Sequence, residues 1–176
     1  VELTRHRDSA LICGHLELTV VGADGRVRDR REGENVVCTT GYSQIAAALV
    51  WAGIQDQAVN LGTTTPTYLT PLYGAVGSGA GTPAKADTQL FTELGRESVG
   101  AAGSTPASST VAAAATWLFY FPNPTSTWTV TEAGVFAGAA SAANSGTMMD
   151  HWAFSPSVPV PTSDSLILQL SLTFGP

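Results

Sequence analysis

The sequence predicts a mainly β protein: an antiparallel β-sandwich of jelly-roll-like kind, with one short helix near residues 41–52 and an N-terminal arm. Three observations carry this. Leu166, Leu168, Leu170, Leu172 and Phe174 take every second position against Ser165, Ile167, Gln169, Ser171 and Thr173, the period of a strand with one buried and one wet face. Other short extended runs recur along the chain, parted by Gly, Pro, Asp and Ser. One stretch alone has a helical apolar stripe.

Read in order, Val1 to Ala10 is charged and has no periodicity, so residues 1–12 are assigned to an arm that orders against a partner chain. Residues 13–176 form a single domain. Leu16, Leu18 and Val20 alternate with polar neighbours, and Asp24-Gly25 follows, a dipeptide suited to a tight hairpin with both turn residues at positive φ. The return strand runs from Arg26 to about Glu32. Thr39 or Thr40 can cap a helix whose stripe is Tyr42, Ile45, Leu49 and Ala52, with Gly53 to end it. Its other face is alanine, so it should lie flat on something rather than project into water. Gln55 to Pro71 reads as a Thr-rich loop, and 72–76 as a short strand ending in Gly77-Ser-Gly-Ala-Gly81. Residues 92–99 read as extended and 100–109 as a loop. In Ala115 to Phe121, Trp117, Phe119 and Phe121 share one side. Trp128 to Phe136 and Met148 to Phe154 are further strands. Pro156, Pro159 and Pro161 then keep the approach to the last strand out of a central ladder.

Charge is sparse and unevenly placed. The 176 residues carry 8 Lys+Arg against 14 Asp+Glu, a net charge of −6, and charged residues are only 12% of the chain while 44% is apolar. That is enough apolar material for a core. The acidic balance speaks against general nucleic-acid binding, which needs basic stripes. No apolar run approaches the roughly 20 residues of a spanning helix, and no signal-peptide pattern opens the sequence, so a soluble domain is expected, away from membranes. Arg5, Arg7, Arg26, Arg28, Arg30 and Arg31 all lie in the first 35 residues, interleaved with acids, while the rest of the chain has only Lys85 and Arg96 as bases. A free monomer usually stays dispersed behind many charges. A chain this poor in them reads as a component of an assembly, and those six arginines as its candidate interface.

The sequence predicts no catalytic, cofactor or metal site. Cys13 and Cys38 make no CxxC pair and are compatible with buried thiols, a strand-to-strand disulfide or, with least support, metal ligation. His6, His15 and His151 have no zinc spacing. The Gly77–Gly81 stretch lacks the Gly-Lys-Ser/Thr ending of a phosphate loop, and Ser78 is not in a GxSxG elbow. Asp150 and His151 are strand neighbours and should point to opposite faces. Glu132 stands in an almost charge-free segment. A carboxylate there is costly unless it accepts hydrogen bonds, so it is read as a structural buried acid taking backbone N–H groups at a turn, with a surface position or a general acid as alternatives. Trp117, Tyr120, Trp128 and Trp152 read as core; exposed, they could stack on sugars.

Several pieces together resemble a diffuse group of tailed-bacteriophage virion proteins. They are Gly14-His-Leu-Glu-Leu-Thr-Val20, Asp24-Gly25, Asn35-Val36-Val37 with Gly41 and Ile45, Tyr73 to Gly79, Asp87-Thr88, Leu90 and Glu93, Thr131-Glu132-Ala-Gly134-Val-Phe136, and the terminal Leu170-x-Leu172-Thr-Phe174. Cys38 stands where that group's entry motif has threonine. The resemblance implies a non-enzymatic virion structural protein, assembled in the host cytoplasm. Its first candidate role is a capsid decoration (cement) protein, as a trimer, bound to the major capsid protein or other virion proteins. A tail fibre or baseplate component is the alternative, and a carbohydrate-binding module is the reading from a different class.

Overall fold

The computed structural model describes residues 12–46, 72–99, 106–107 and 114–174. Residues 1–11 of the expected arm, with Arg5 and Arg7, the Thr-rich loop and the second half of the expected helix lie outside those residues, while Ile12, expected in the arm, is laddered to Phe174 and opens the first strand. The strands are β1 (Ile12–Val21), β2 (Val27–Val37), β3 (Tyr73–Gly77), β4 (Glu93–Ser98), β5 (Pro106–Ala107), β6 (Ala114–Phe121), β7 (Trp128–Ala137), β8 (Thr147–Val160) and β9 (Ser165–Phe174). The protein is mainly β and its ladders are antiparallel. The strands form one sheet in the order β4-β3-β7-β8-β2-β1-β9-β6-β5, nearly closed into a barrel.

Period-two patterning makes the inner face. Leu16, Leu18 and Val20 of β1 stand opposite Leu170, Leu168 and Leu166 of β9, which in turn face Trp117, Phe119 and Phe121 of β6. Except for the half-buried Trp117, these side chains are almost wholly removed from water. From the far half of the sheet, Val76, Val130, Ala133, Val135, Met149 and Trp152 join the same core. Phe119 lies against Gly74 of β3 so closely that a Cβ there would collide with its ring, so the curled sheet meets itself across its interior.

Three local details differ from the sequence expectation, each for a visible reason. The β1–β2 turn is wider than a two-residue hairpin: Gly25 N–H donates to Gly22 O at 2.8 Å, and Gly25 alone of the turn residues has positive φ (75°). The helix begins at residue 39, with Tyr42 N–H donating to Cys38 O at 3.1 Å; Cys38 therefore holds the cap position. Thr40 instead donates its hydroxyl to Met148 O at 2.6 Å, which binds the helix to β8. Gly41 sits over the Met149 carbonyl where no side chain would fit. Finally, β8 runs on through Pro156 and Pro159 to Val160. Pro159 is tolerated because that stretch is laddered only to β7 among the described residues, leaving its other edge without a need for N–H donors.

The turn between β7 and β8 is fastened by a buried ion pair. The Arg96 and Glu93 side chains are each 3% exposed and meet at 2.6 Å. Arg96 also donates to Ala140 O at 3.2 Å and Ser145 O at 3.0 Å, and its guanidinium lies over the Phe136 ring at 4.7 Å. Glu93 accepts the Asn144 N–H at 2.9 Å. A lysine cannot reproduce this planar fork. Arg96→Lys is expected to lower stability by about 2–3 kcal/mol in urea unfolding, with amides of residues 140–145 losing hydrogen-exchange protection first.

Candidate functional site

A buried set of ionisable groups lies on the outer face of β7 and β8, beneath the β3–β4 connection. The bulge between Val130 and Glu132 puts Val130, Ala133 and Val135 inward, so that Glu132, Gly134 and Phe136 face outward. His151 on β8 stands opposite Gly134, diagonal to Glu132, and the missing side chain at Gly134 leaves the two room to meet. Residues 78–92 then fold over this face. Leu90 packs with Ala75, Phe136 and Met148, and the Phe91 ring sits 4.8 Å from the His151 ring.

Within this pocket Glu132 is fully buried and accepts three backbone N–H bonds: Oε1 from Gly79 and Thr92, each at 2.8 Å, and Oε2 from Phe91 at 2.9 Å. His151 Nε2 lies 3.0 Å from Glu132 Oε2, and its Nδ1 lies 2.7 Å from Asp87 Oδ2. Asp87 is fixed in turn by the Ala84 N–H at 2.8 Å. An ionised carboxylate only accepts, so a ring bonded to two of them donates from both nitrogens and is an imidazolium. Burial alone would push His151 down, but the hydrogen bonds and charges of Glu132 and Asp87 outweigh it and hold the ring above its ordinary range. Burial would likewise push Glu132 up; His151 and the three backbone donors hold it below its ordinary range. The charges run −, +, −, with Asp87 at the partly exposed end.

Asp150 points the other way, into the inner core beside Asn35 and the Val135 backbone, at geometries that leave both its oxygens without a hydrogen bond. Burial raises it from 3.8 to about 7, against the lowering influence of Asn35, Val135 and His151. Cys38 is buried nearby, its thiol pushed up to about 12 by burial and then by the charges of Asp150 and Asp87. Both cysteines are free, Cys13 exposed on the outer face of β1. Among the described residues no group of three His, Cys, Asp or Glu is arranged to hold a metal ion.

The sequence-predicted positions fall into two places. Glu132 is at the centre of the buried cluster. Arg26, Arg28, Arg30 and Arg31 lie on the β1–β2 hairpin, paired with Asp24, Glu17, Glu32 and Asp29. Sequence spacing does not reveal His151 and Asp87 as its partners: next to His151 in sequence stands Asp150, whereas the partners of the ring come from another strand and a loop. The usable signal was the isolation of Glu132 itself, since a buried carboxylate implies a cation. No protein-family model matches the chain, and no curated protein matches it.

Removing the central acceptor should open the loop. Glu132→Ala strands three N–H groups and an imidazolium, and is expected to cost about 3–5 kcal/mol in denaturant unfolding, with faster exchange of the Gly79, Phe91 and Thr92 amides. The pH dependence has a defined sense. Glu132's contribution is complete above its unfolded value of 4.5 and fades as pH falls through its lowered folded value. His151's is complete below 6.5 and fades as pH rises through its raised folded value. The clasp therefore contributes most between pH 4.5 and 6.5. Asp150, raised to about 7, makes stability fall as pH climbs from 3.8 to that value. Asp150→Asn should therefore gain relative to the unsubstituted protein on going from pH 5 to pH 8, by on the order of 1–3 kcal/mol in paired urea titrations.

Proposed function

We propose that this chain is a non-enzymatic structural protein of a tailed-bacteriophage particle, in first place a capsid decoration (cement) protein that holds to the head lattice, and to copies of itself, through subunit contacts. The observation that carries the reading is where charge is placed. Among the described residues, the exposed Asp, Glu, Lys and Arg side chains are Asp24, Arg26, Arg28, Arg30, Glu32 and Glu34, all on one hairpin, and Lys85. Every other described charge is buried or half-buried. Exposed ion pairs are worth about 0–1 kcal/mol each, so the hairpin can trade its internal partners for those of a neighbouring subunit at little cost. Many weak contacts repeated on a lattice add through effective concentration, and binding the assembled shell preferentially stabilises it by mass action.

The buried cluster supports the same reading. His151 has both ring nitrogens engaged and no exposed surface, so the cluster is built to hold a loop closed. The resemblance of the Gly14–Phe174 pieces to virion proteins supplies the particle class. On this reading the curled sheet is a jelly-roll-like sandwich, the leaf β5-β6-β9-β1-β2 packed on the leaf β8-β7-β3-β4. A sugar-stacking platform has less support, because Trp152 is 6% exposed and Trp128 packs edge-on against Phe121. Densitometry of purified particles tests the proposal. Copies matching the sites of the head lattice would support decoration; a handful would move the protein to the tail, and none would overturn the reading.

A further inference from the structure

β2 has an edge that the sheet does not use. It is laddered to β1 along its length but to β8 only through Val36 and Val37, opposite His151 and Asp150. Residues 27–35 have ladder partners on β1 alone among the described residues. A strand edge of this length is a template for another strand.

Its charges are ordered. Arg28, Arg30, Glu32 and Glu34 are the exposed alternate positions, reading +, +, −, − along one face. Charges on an edge ordinarily discourage pairing, because most registers oppose like signs. On the exposed face of β2 one register does the opposite. When two copies of β2 run antiparallel about a two-fold axis at Arg31, Arg28 faces Glu34 and Arg30 faces Glu32, twice each. Shifting the axis by one residue along the exposed face places Arg30 against Arg30, or Glu32 against Glu32.

The hairpin's own pairing leaves this pattern incomplete. Glu32 stands directly opposite Glu17 on β1, and one arginine, Arg30, serves both, at 2.7 Å from Glu17 and 3.7 Å from Glu32. Glu34 stands opposite His15 and has no ion-pair partner among the described residues. On the inner side, Arg31 donates to Asp29 through Nη2 at 3.1 Å while its buried Nε has no acceptor. About that axis Arg31 stands directly opposite Arg31 of the second copy, and this like-charge pair is offset by the two Asp29 carboxylates, each diagonal to the other copy's Arg31 and within reach of its free Nε donor.

We propose that β2 is a homodimerisation edge: two copies of this chain join their sheets through antiparallel β2–β2 pairing centred on Arg31, with register set by the Arg28–Glu34 and Arg30–Glu32 pairs. The contact is isologous, so it closes on itself. It is separate from the virion reading: a monomeric chain that still coats particles would overturn this contact and leave that reading standing.

Sedimentation equilibrium of the full chain at low and high salt tests it. The unsubstituted protein should be dimeric at low salt and weaken as salt screens the pairs. Arg28→Glu with Arg30→Glu should raise the dimer dissociation constant at least about tenfold. Adding Glu32→Arg and Glu34→Arg inverts the pattern, which is again self-complementary, and should restore the dimer. In a Cys13→Ser background, Arg31→Cys should oxidise to a disulfide-linked dimer and Glu34→Cys should not, which keeps the register testable if the double charge variant fails to fold. A monomeric or trimeric unsubstituted protein, no effect of charge reversal, no rescue in a folded quadruple variant, or equal cross-linking at 31 and 34 would each overturn the proposal.

Discussion

The structure depends on how the Glu132 carboxylate is neutralised. An ionised carboxylate out of water costs several kcal/mol, and Glu132 is fully buried on β7. Three backbone N–H groups from the 78–92 segment and the His151 ring supply what solvent would have supplied. The relation also runs the other way. A connection with little ladder of its own must find acceptors for its N–H groups, and Gly79, Phe91 and Thr92 find theirs on one side chain of the sheet beneath. Glu132 thus acts as a strand edge for a segment that is not a strand. The close approach this needs explains Gly79, where a side chain would strike both Glu132 and Phe91.

The same solution recurs at the neighbouring turn, where Arg96 and Glu93 hold residues 140–145 by their carbonyls and amides. In both places a charge is buried only where a counter-charge and backbone groups meet it together. Asp150 departs from this: it faces the core with an amide and a backbone group that do not reach hydrogen-bonding geometry, and its raised value follows. Interior charge here fastens irregular backbone; surface charge is gathered on the β1–β2 hairpin.

Much of the sheet was legible because period two is a local property. Leu166 to Leu172 and Trp117 to Phe121 declare their inner faces without reference to any partner, and the structure buries those faces except at the half-buried Trp117. The extent of β2 was not: Gly33, Glu34 and Asn35 break the apolar alternation, and the strand continues to Val37 because β1 pairs with it as far as Gly14–Asn35 and β8 pairs with Val36 and Val37. The site was half legible. Glu132 stood out by its isolation in sequence, whereas its partners depend on a loop crossing the sheet and on a diagonal set by a bulge. Neither leaves a mark in residue spacing.

The polar inner side of β2 follows from the short β2–β8 ladder. Asp29, Arg31, Gly33 and Asn35 are on the same side of the sheet as Leu16, Leu18 and Val20 of β1, a position where a sealed barrel would require apolar residues. They are half-buried instead of buried. Beyond Val36 and Val37 the two strands share no further ladder among the described residues, and Trp152 closes the inner gap by lying against Gly33. Water reaches the β2 side of this seam and stays out of the β1–β9 side, so one strand can carry an ion pair where its neighbour carries leucine. A barrel fully closed at this point would have to desolvate the Arg31–Asp29 pair, which seldom repays its cost. The charges of β2 and the opening beside it are therefore one feature, each making the other tolerable.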